Sequence, residues 1–151
     1  MLQFRTSSPP RQGAVNGIAL VVYRPSLHRW ATVGKLAFVD GEPVLAVPYR
    51  RRQRLQGRVS LPLVAIRYAE EHGATAIVVR FDDEHAAYRL PLKEALRLGR
   101  REMLDGQLEV WLSLDWFEAC PWPDWPFATR EVRLGPGPDE LPRQLALAGG
   151  R

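Results

Sequence analysis

Two short apolar runs most constrain the fold of this chain. Residues 18–23 read IALVVY and residues 74–81 read ATAIVVRF, and both runs are rich in β-branched side chains. Runs this short and this continuously apolar are typical of buried strands, because a strand with one solvated face alternates apolar and polar residues. They predict a sheet with other elements packed against it.

The neighbouring segments predict the rest of this sheet. The other predicted strands are residues 31–39, 43–49, 86–90, 107–114 and a last one near 129–134. Asp40-Gly41 is a good hairpin turn between the first two, and Pro48 places the end of the second at an edge or bulge. Apolar and other residues alternate in the predicted strand 107–114, and the side chains expected on one of its faces are Leu108, Val110, Leu112 and Leu114.

Two helices complete the predicted domain. Apolar residues recur at helical spacing from Leu61 onward, with Ser60 as the expected N-cap and Gly73 as the expected C-cap. The second helix is expected to begin at Pro91, which suits a first helical turn, and to end at about Leu98.

The order of these elements predicts an α/β (α+β) fold with a single mixed β-sheet and two main helices packed on it. Residues 17–134 form one globular domain between a flexible N-terminal arm, 1–16, and a loose C-terminal tail, 135–151. Asp115 and Glu118 form a capping box that predicts one or two further helical turns.

Composition excludes several classes of protein. With 46% hydrophobic and 25% charged residues, the chain is an ordinary globular one. No apolar run approaches the ~20 residues of a membrane span, and Met1 to Gly17 lacks the apolar stretch of a signal peptide. The single Cys120 cannot form an internal disulfide. We therefore expect a cytoplasmic protein with no membrane partner.

Charge is divided unevenly along the chain. Residues 1–67 hold 11 basic and two acidic residues, a formal charge of +9, whereas residues 68–151 hold 10 basic and 15 acidic residues, a charge of −5. Of the 21 cations, 19 are arginine, whose planar fork matches phosphate oxygens at two points. The basic half predicts a nucleic-acid partner, with DNA favoured over RNA. The same half is nearly free of the acidic residues that metal-dependent cleavage requires.

An arginine-rich segment supplies the main candidates for phosphate contacts, which are Arg50, Arg51, Arg52, Arg54 and Arg58. It precedes the expected helix N-terminus at Ser60, whose free backbone N–H groups favour anions. Arg29 and Lys35 are expected at the edge of this surface. Trp30 is the stacking candidate, and the alternative is that it caps the core. The alternative for the arginines is that they lie in a solvated loop with no ligand. If they contact phosphates, the affinity for nucleic acid should fall steeply as the salt concentration rises.

A second surface is predicted where tryptophans and prolines interleave. Four indoles fall within fifteen residues, namely Trp111, Trp116, Trp122 and Trp125. They favour a partner-binding surface around Trp122 and Trp125, or they close the core of a small domain. The second hypothesis is therefore a protein-interaction or regulatory module. The acidic run 82–85, which ends in a histidine, is a tight turn or, less favoured, a cation site.

The stretch GKLAFVDGEPVLAVPYRRRQR, which begins at Gly34, has the cadence of two strands followed by a basic segment. SLPLVAIRYAEEHGATAIVVRF then has the pattern of a helix and a strand, and YRLPLKEAL follows. Residues 34–98 thereby resemble the PD-(D/E)XK nuclease superfamily, in particular its small Holliday-junction-resolvase branch. The resemblance implies a restriction-endonuclease-like core, and it implies a homodimer, since resolvase-like folds are often dimers.

The catalytic motif of that family is not retained. Gly34-Lys35 stands where the family has Pro-Asp, and Ala46-Val47-Pro48 stands where it has an acid-x-Lys pattern. Without those carboxylates the resemblance implies no catalytic residue and no metal or other cofactor. The leading hypothesis is a non-catalytic, nuclease-like domain that binds the phosphate backbone of nucleic acid.

In a third hypothesis the protein is an active nuclease. It is a metal-dependent, structure-specific DNA nuclease whose acids are Asp40, Glu42 or Asp82, and only this alternative requires Mg²⁺ or Mn²⁺.

Overall fold

The apolar runs lie in the middle of a seven-stranded mixed sheet. The computed structural model describes residues 16–39, 41–49, 56–123 and 127–140. Its helices and strands are, in chain order, β1 (Asn16–Arg24), β2 (Arg29–Val39), β3 (Glu42–Tyr49), β4 (Arg58–Pro62), α1 (Leu63–Glu71), β5 (Ala76–Phe81), β6 (Ala86–Pro91), α2 (Leu92–Leu98), β7 (Arg100–Leu104), β8 (Gln107–Ser113), β9 (Glu118–Cys120) and β10 (Phe127–Leu134). Residues 1–15 of the predicted arm and residues 141–151 of the predicted tail lie outside the described residues, and Asn16 begins β1.

The strands of the main sheet lie in the order β9-β6-β5-β3-β2-β1-β10. Two neighbouring pairs are parallel, β3 with β5 and β1 with β10, and the other pairs are antiparallel. The predicted α+β class, with a mixed sheet and two helices, is therefore confirmed. In the part of the chain that the structure describes, neither helix is long and apolar enough to cross a membrane.

The main core lies on the helical face of this sheet. Alternate strand residues such as Leu20, Leu45 and Ile77 pack there with Ile66 of α1 and Leu92 of α2. The intervening strand residues form a smaller buried cluster on the opposite face, made of Val39, Val44, Ala46, Ala76 and Val78. Both faces are covered, which explains why the strand sequences are continuously apolar.

A second, three-stranded sheet was not predicted, and it has the order β4-β8-β7. In β4, Val59 and Leu61 alternate into the core and pair with Leu112 and Val110 of β8. The expectation that Ser60 is a helix N-cap is therefore wrong, because Ser60 lies within a strand. Helix α1 begins at Leu63, after Pro62.

Other local expectations are also corrected. A short 3-10 helix is present at Leu114–Trp116, but Asp115 and Glu118 do not form its capping box. Its N-cap is Ser113, whose Oγ accepts a hydrogen bond from Asp115 N at 3.2 Å, and Glu118 begins β9. Leu108 is 37% exposed instead of buried, because it pairs with Met103 of the edge strand β7. Strand β7 was missed because all of its residues are exposed and its sequence has no apolar alternation.

Candidate functional site

A cleft of about 580 Å³ opens between the main sheet and the small sheet. One wall comes from residues 32–35 of β2 and residues 47–49 of β3. The other wall comes from β4 and from Trp111 of β8, and Arg24 at the end of β1 also lines the cleft. Clefts of this size, with a mixture of apolar walls and a few polar groups, are typical of ligand sites.

The cleft is positively charged. Three cationic residues line it, Arg24, Lys35 and Arg58, and the described lining includes no acidic residue. The structure thus brings together two of the residues predicted from the sequence, Lys35 and Arg58. A concave surface with one sign of charge concentrates the electrostatic potential and attracts ligands of opposite charge.

The Arg58 guanidinium lies over an aromatic ring. Arg58 and Ser60 leave β4 on the same face because strand side chains alternate, and Ser60 pairs with Trp111 of the neighbouring strand. The Arg58 Cζ atom lies 4.5 Å from the centroid of the Trp111 ring. A guanidinium placed in this way retains the N–H donors at its edge for an anion.

Arg58 is also exposed, and within the described ranges no carboxylate lies within ion-pair distance of it. The expectation that it belongs to a basic loop is corrected, since it is the first residue of β4. A strand holds its side chain in place more firmly than a loop does, and this favours a defined contact geometry.

Arg24, in contrast, is neutralised by a buried acid. Its Nη1 atom donates a hydrogen bond of 3.2 Å to Glu109 Oε2, and the two side chains are 14% and 1% exposed. Burial raises the pKa of Glu109, while hydrogen bonds from Arg24 and Ser60 act in the opposite direction. Because Glu109 is paired with Arg24, its charge does not cancel that of Arg58.

A second contact fixes the two sheets to each other beside the cleft. Ser26, in the turn between β1 and β2, donates from its backbone N to Asp105 Oδ1 at 2.9 Å and from its hydroxyl to Asp105 Oδ2 at 2.5 Å. The hydroxyl bond is the main reason that the pKa of Asp105 is lowered. The walls of the cleft are therefore held in register by Arg24–Glu109 and Ser26–Asp105.

Tyr49 of one wall forms a hydrogen bond to the other wall of the cleft. Its hydroxyl donates to the backbone carbonyl of Ser60 at 3.3 Å, and burial raises its pKa, so that it stays protonated as a donor. Its ring stacks on Phe81 of the main core, with centroids 5.7 Å apart. Tyr49 therefore forms a neutral, aromatic part of the cleft.

The remaining arginines of the predicted segment, Arg50, Arg51, Arg52 and Arg54, lie outside the described residues. The residues on either side of positions 50–55 are described. Tyr49 precedes these positions and Gln56 follows them, and both line the cleft. The chain thus enters and leaves the arginine-rich segment at the cleft.

Arg29 and Trp30 do not line the cleft. Arg29 is exposed opposite Arg24 at the end of the β1–β2 hairpin. Trp30 pairs with Tyr23, with ring centroids 5.8 Å apart, and Arg133 Cζ lies 4.8 Å from the centroid of its ring. The Trp30 ring is thus packed against its own chain, and base stacking by it stays a prediction.

The predicted tryptophan surface is described only at Trp122, since Trp125 lies outside the described residues. Trp122 stacks on His85 with ring centroids 3.9 Å apart, and Arg80 Cζ lies 4.8 Å from its ring centroid. These contacts attach it to the acidic turn at residues 82–85. A role in partner binding stays a prediction.

The two positions that the resemblance compares with the nuclease motif lie on neighbouring strands of the main sheet. Strands β2 and β3 place the two motif positions side by side, with Lys35 opposite Ala46, and neither position supplies a carboxylate. Of the alternative acids, Asp40 lies outside the described residues. Glu42 is bound by Arg89 and Thr75 at the start of β3, and Asp82 follows the parallel strand β5 at the other end of the sheet. Within the described residues no group of three or more potential metal ligands was found.

Sequence reasoning missed three residues of the cleft, Arg24, Tyr49 and Trp111. The signal for Trp111 was present, because alternation in residues 107–114 places it on the face opposite Val110 and Leu112. Its contact with Arg58 depends on the pairing of β4 with β8. No protein-family model, curated protein or solved structure matches this chain.

Proposed function

We propose that this protein binds nucleic acid without cleaving it, and that the cleft between the two sheets contacts the phosphate backbone. The observation that carries this proposal is the Arg58 guanidinium, which lies over the Trp111 ring and has no carboxylate partner among the described residues. A planar, pre-positioned fork of this kind binds phosphate oxygens in two-point fashion.

The charge of the surroundings supports the same function. Lys35 adds a second cation to the cleft, and the nearby Glu109 is neutralised by Arg24. The arginine-rich segment starts and ends at the cleft, so its four further arginines are expected to extend the contacts along the backbone. A cytoplasmic location, where a single cysteine stays reduced, belongs to the same proposal.

A mobility-shift assay at two salt concentrations tests this function. The probes are single-stranded DNA, duplex DNA and RNA, at about 50 and 200 mM salt. The wild-type protein should bind at low salt and lose affinity steeply at higher salt. Replacing Arg50, Arg51 and Arg52 together by alanine should weaken binding and reduce the slope of log affinity against log salt by about 2–3, since each phosphate contact contributes ~0.9.

A matched control removes the same charge elsewhere. Arg67 on α1, Arg101 on β7 and Arg130 on β10 are exposed and do not line the cleft. Their combined replacement by alanine should leave most of the affinity intact. Absence of binding at low salt, or equal loss in the two triple variants, would contradict the proposal.

A further inference from the structure

We infer that the cleft takes an unpaired nucleotide segment rather than a duplex, with a base stacked on the face of the Arg58 guanidinium that lies away from Trp111. This inference rests on the proposed function and names the form of nucleic acid that the same site accepts.

The shape of the cleft favours an unpaired segment. Its volume of about 580 Å³ is that of a site which encloses a small ligand, and its walls come from two different sheets. The bases of a duplex are stacked inside the helix, so a protein meets the phosphate rim and the base edges in the grooves but not the face of a base. A base of an unpaired strand can leave the strand and enter the cleft.

The side chains of the cleft suit the parts of one nucleotide. Arg58 and Lys35 provide cations for the phosphate, and Val47 and Tyr49 provide apolar and aromatic wall for a base. Proteins that bind single strands combine a cationic groove with a planar group on which a base stacks. In this cleft that planar group is the Arg58 guanidinium, because the Trp111 ring beneath it holds it in position.

The test compares the affinity for a labelled single strand of about 12 nucleotides with that for the same strand annealed to its complement, by fluorescence anisotropy at low salt. The wild-type protein should bind the single strand at least about tenfold more tightly, since stacking contributes to the single strand alone. The duplex should still bind measurably, because the proposed function expects the cations of the cleft and of the arginine-rich segment to attract the backbone of either form.

The variant Arg58→Lys separates stacking from charge. It retains the positive charge but loses the planar guanidinium, so its affinity for the single strand should fall by more than its affinity for the duplex, and most of the preference for the single strand should be lost. The conservative control is Arg67→Lys, at an exposed position on α1 outside the cleft, which should retain the preference. Thermal unfolding of each variant establishes that the fold is intact.

The outcomes distinguish the two proposals. Equal affinity of the wild type for both forms, or an unchanged preference in Arg58→Lys, would overturn the inference about unpaired segments and leave nucleic-acid binding in place. Failure of every probe to bind at low salt would overturn the proposed function, and the inference with it.

Discussion

The Arg24 guanidinium of the main sheet lies 3.2 Å from the Glu109 carboxylate of the small sheet, although 85 positions separate the two residues in sequence. The carboxylate is 1% exposed. Because removing one partner of a buried ion pair leaves an uncompensated charge, this contact is a sensitive point of the fold.

We expect Arg24→Ala to lower the free energy of unfolding by about 3–5 kcal/mol, as is typical when one partner of a buried pair is lost. The double variant Arg24→Met/Glu109→Leu should be more stable than Arg24→Ala, since it removes both charges and keeps the volume filled. Urea unfolding measures each value. A double variant less stable than Arg24→Ala would argue against a mutual pair.

Glu109 should also give the protein an unusual dependence on pH. Burial raises its pKa above the ordinary value of 4.5, so the folded state binds this proton more readily than the unfolded state does. The contribution of Glu109 to stability is therefore full below pH 4.5 and is lost as pH rises through the raised pKa. Relative to Glu109→Gln, wild-type stability should fall as pH rises across this window. Parallel pH profiles would contradict this assignment.

Glu42 should make stability depend on pH in the opposite direction. Hydrogen bonds from Arg89, and then from Thr75, lower its pKa below the ordinary 4.5, although partial burial opposes them. Its contribution is thus present above pH 4.5 and is lost as pH falls through the lowered pKa. Glu42→Gln should cost about 0.5–1 kcal/mol at neutral pH, because the pair is partly exposed, and the cost should shrink in acid. Thermal unfolding at several pH values measures this, and a cost that grows in acid would refute it.

Gly99, between α2 and β7, is required by close packing. A Cβ atom there would lie 2.1 Å from Val110 Cγ1 and 2.6 Å from the Ala95 carbonyl oxygen, so Gly99→Ala should cost about 2–3 kcal/mol or more. The control is Gly73→Ala, where space is open and only the positive φ of 89° adds strain, about 1 kcal/mol. If urea unfolding gave equal costs for both variants, the clash would not be the cause.

Local patterns predicted the main sheet because burial there follows from a strand's own composition. The runs that contain Leu20 and Ile77 are apolar throughout, and the structure buries both residues completely. The same reasoning failed at Ser60, which has the residue type and position of an N-cap but pairs with a strand some 50 residues later. Local sequence carries no information about that distant partner.

The candidate site likewise has residues that the sequence predicted and residues that it did not. Arg58 and Lys35 were found because charge is visible in the sequence. Glu109 was not expected in the interior, because a buried carboxylate is stable only with a partner, and that partner, Arg24, lies in the other sheet. The cleft itself depends on how the two sheets are packed, which neither sheet's sequence specifies alone.

The parallel pairing of β1 with β10 has a consequence for how the chain folds. Residues 16–22 gain their second neighbour only from residues 127–134, so the sheet cannot be completed until most of the chain has been synthesised. Contacts between residues so distant in sequence slow folding, because a large loop must close before they form. Until then the outer edge of β1 lacks the partner strand β10, and an unpaired edge of this kind can template association with another chain.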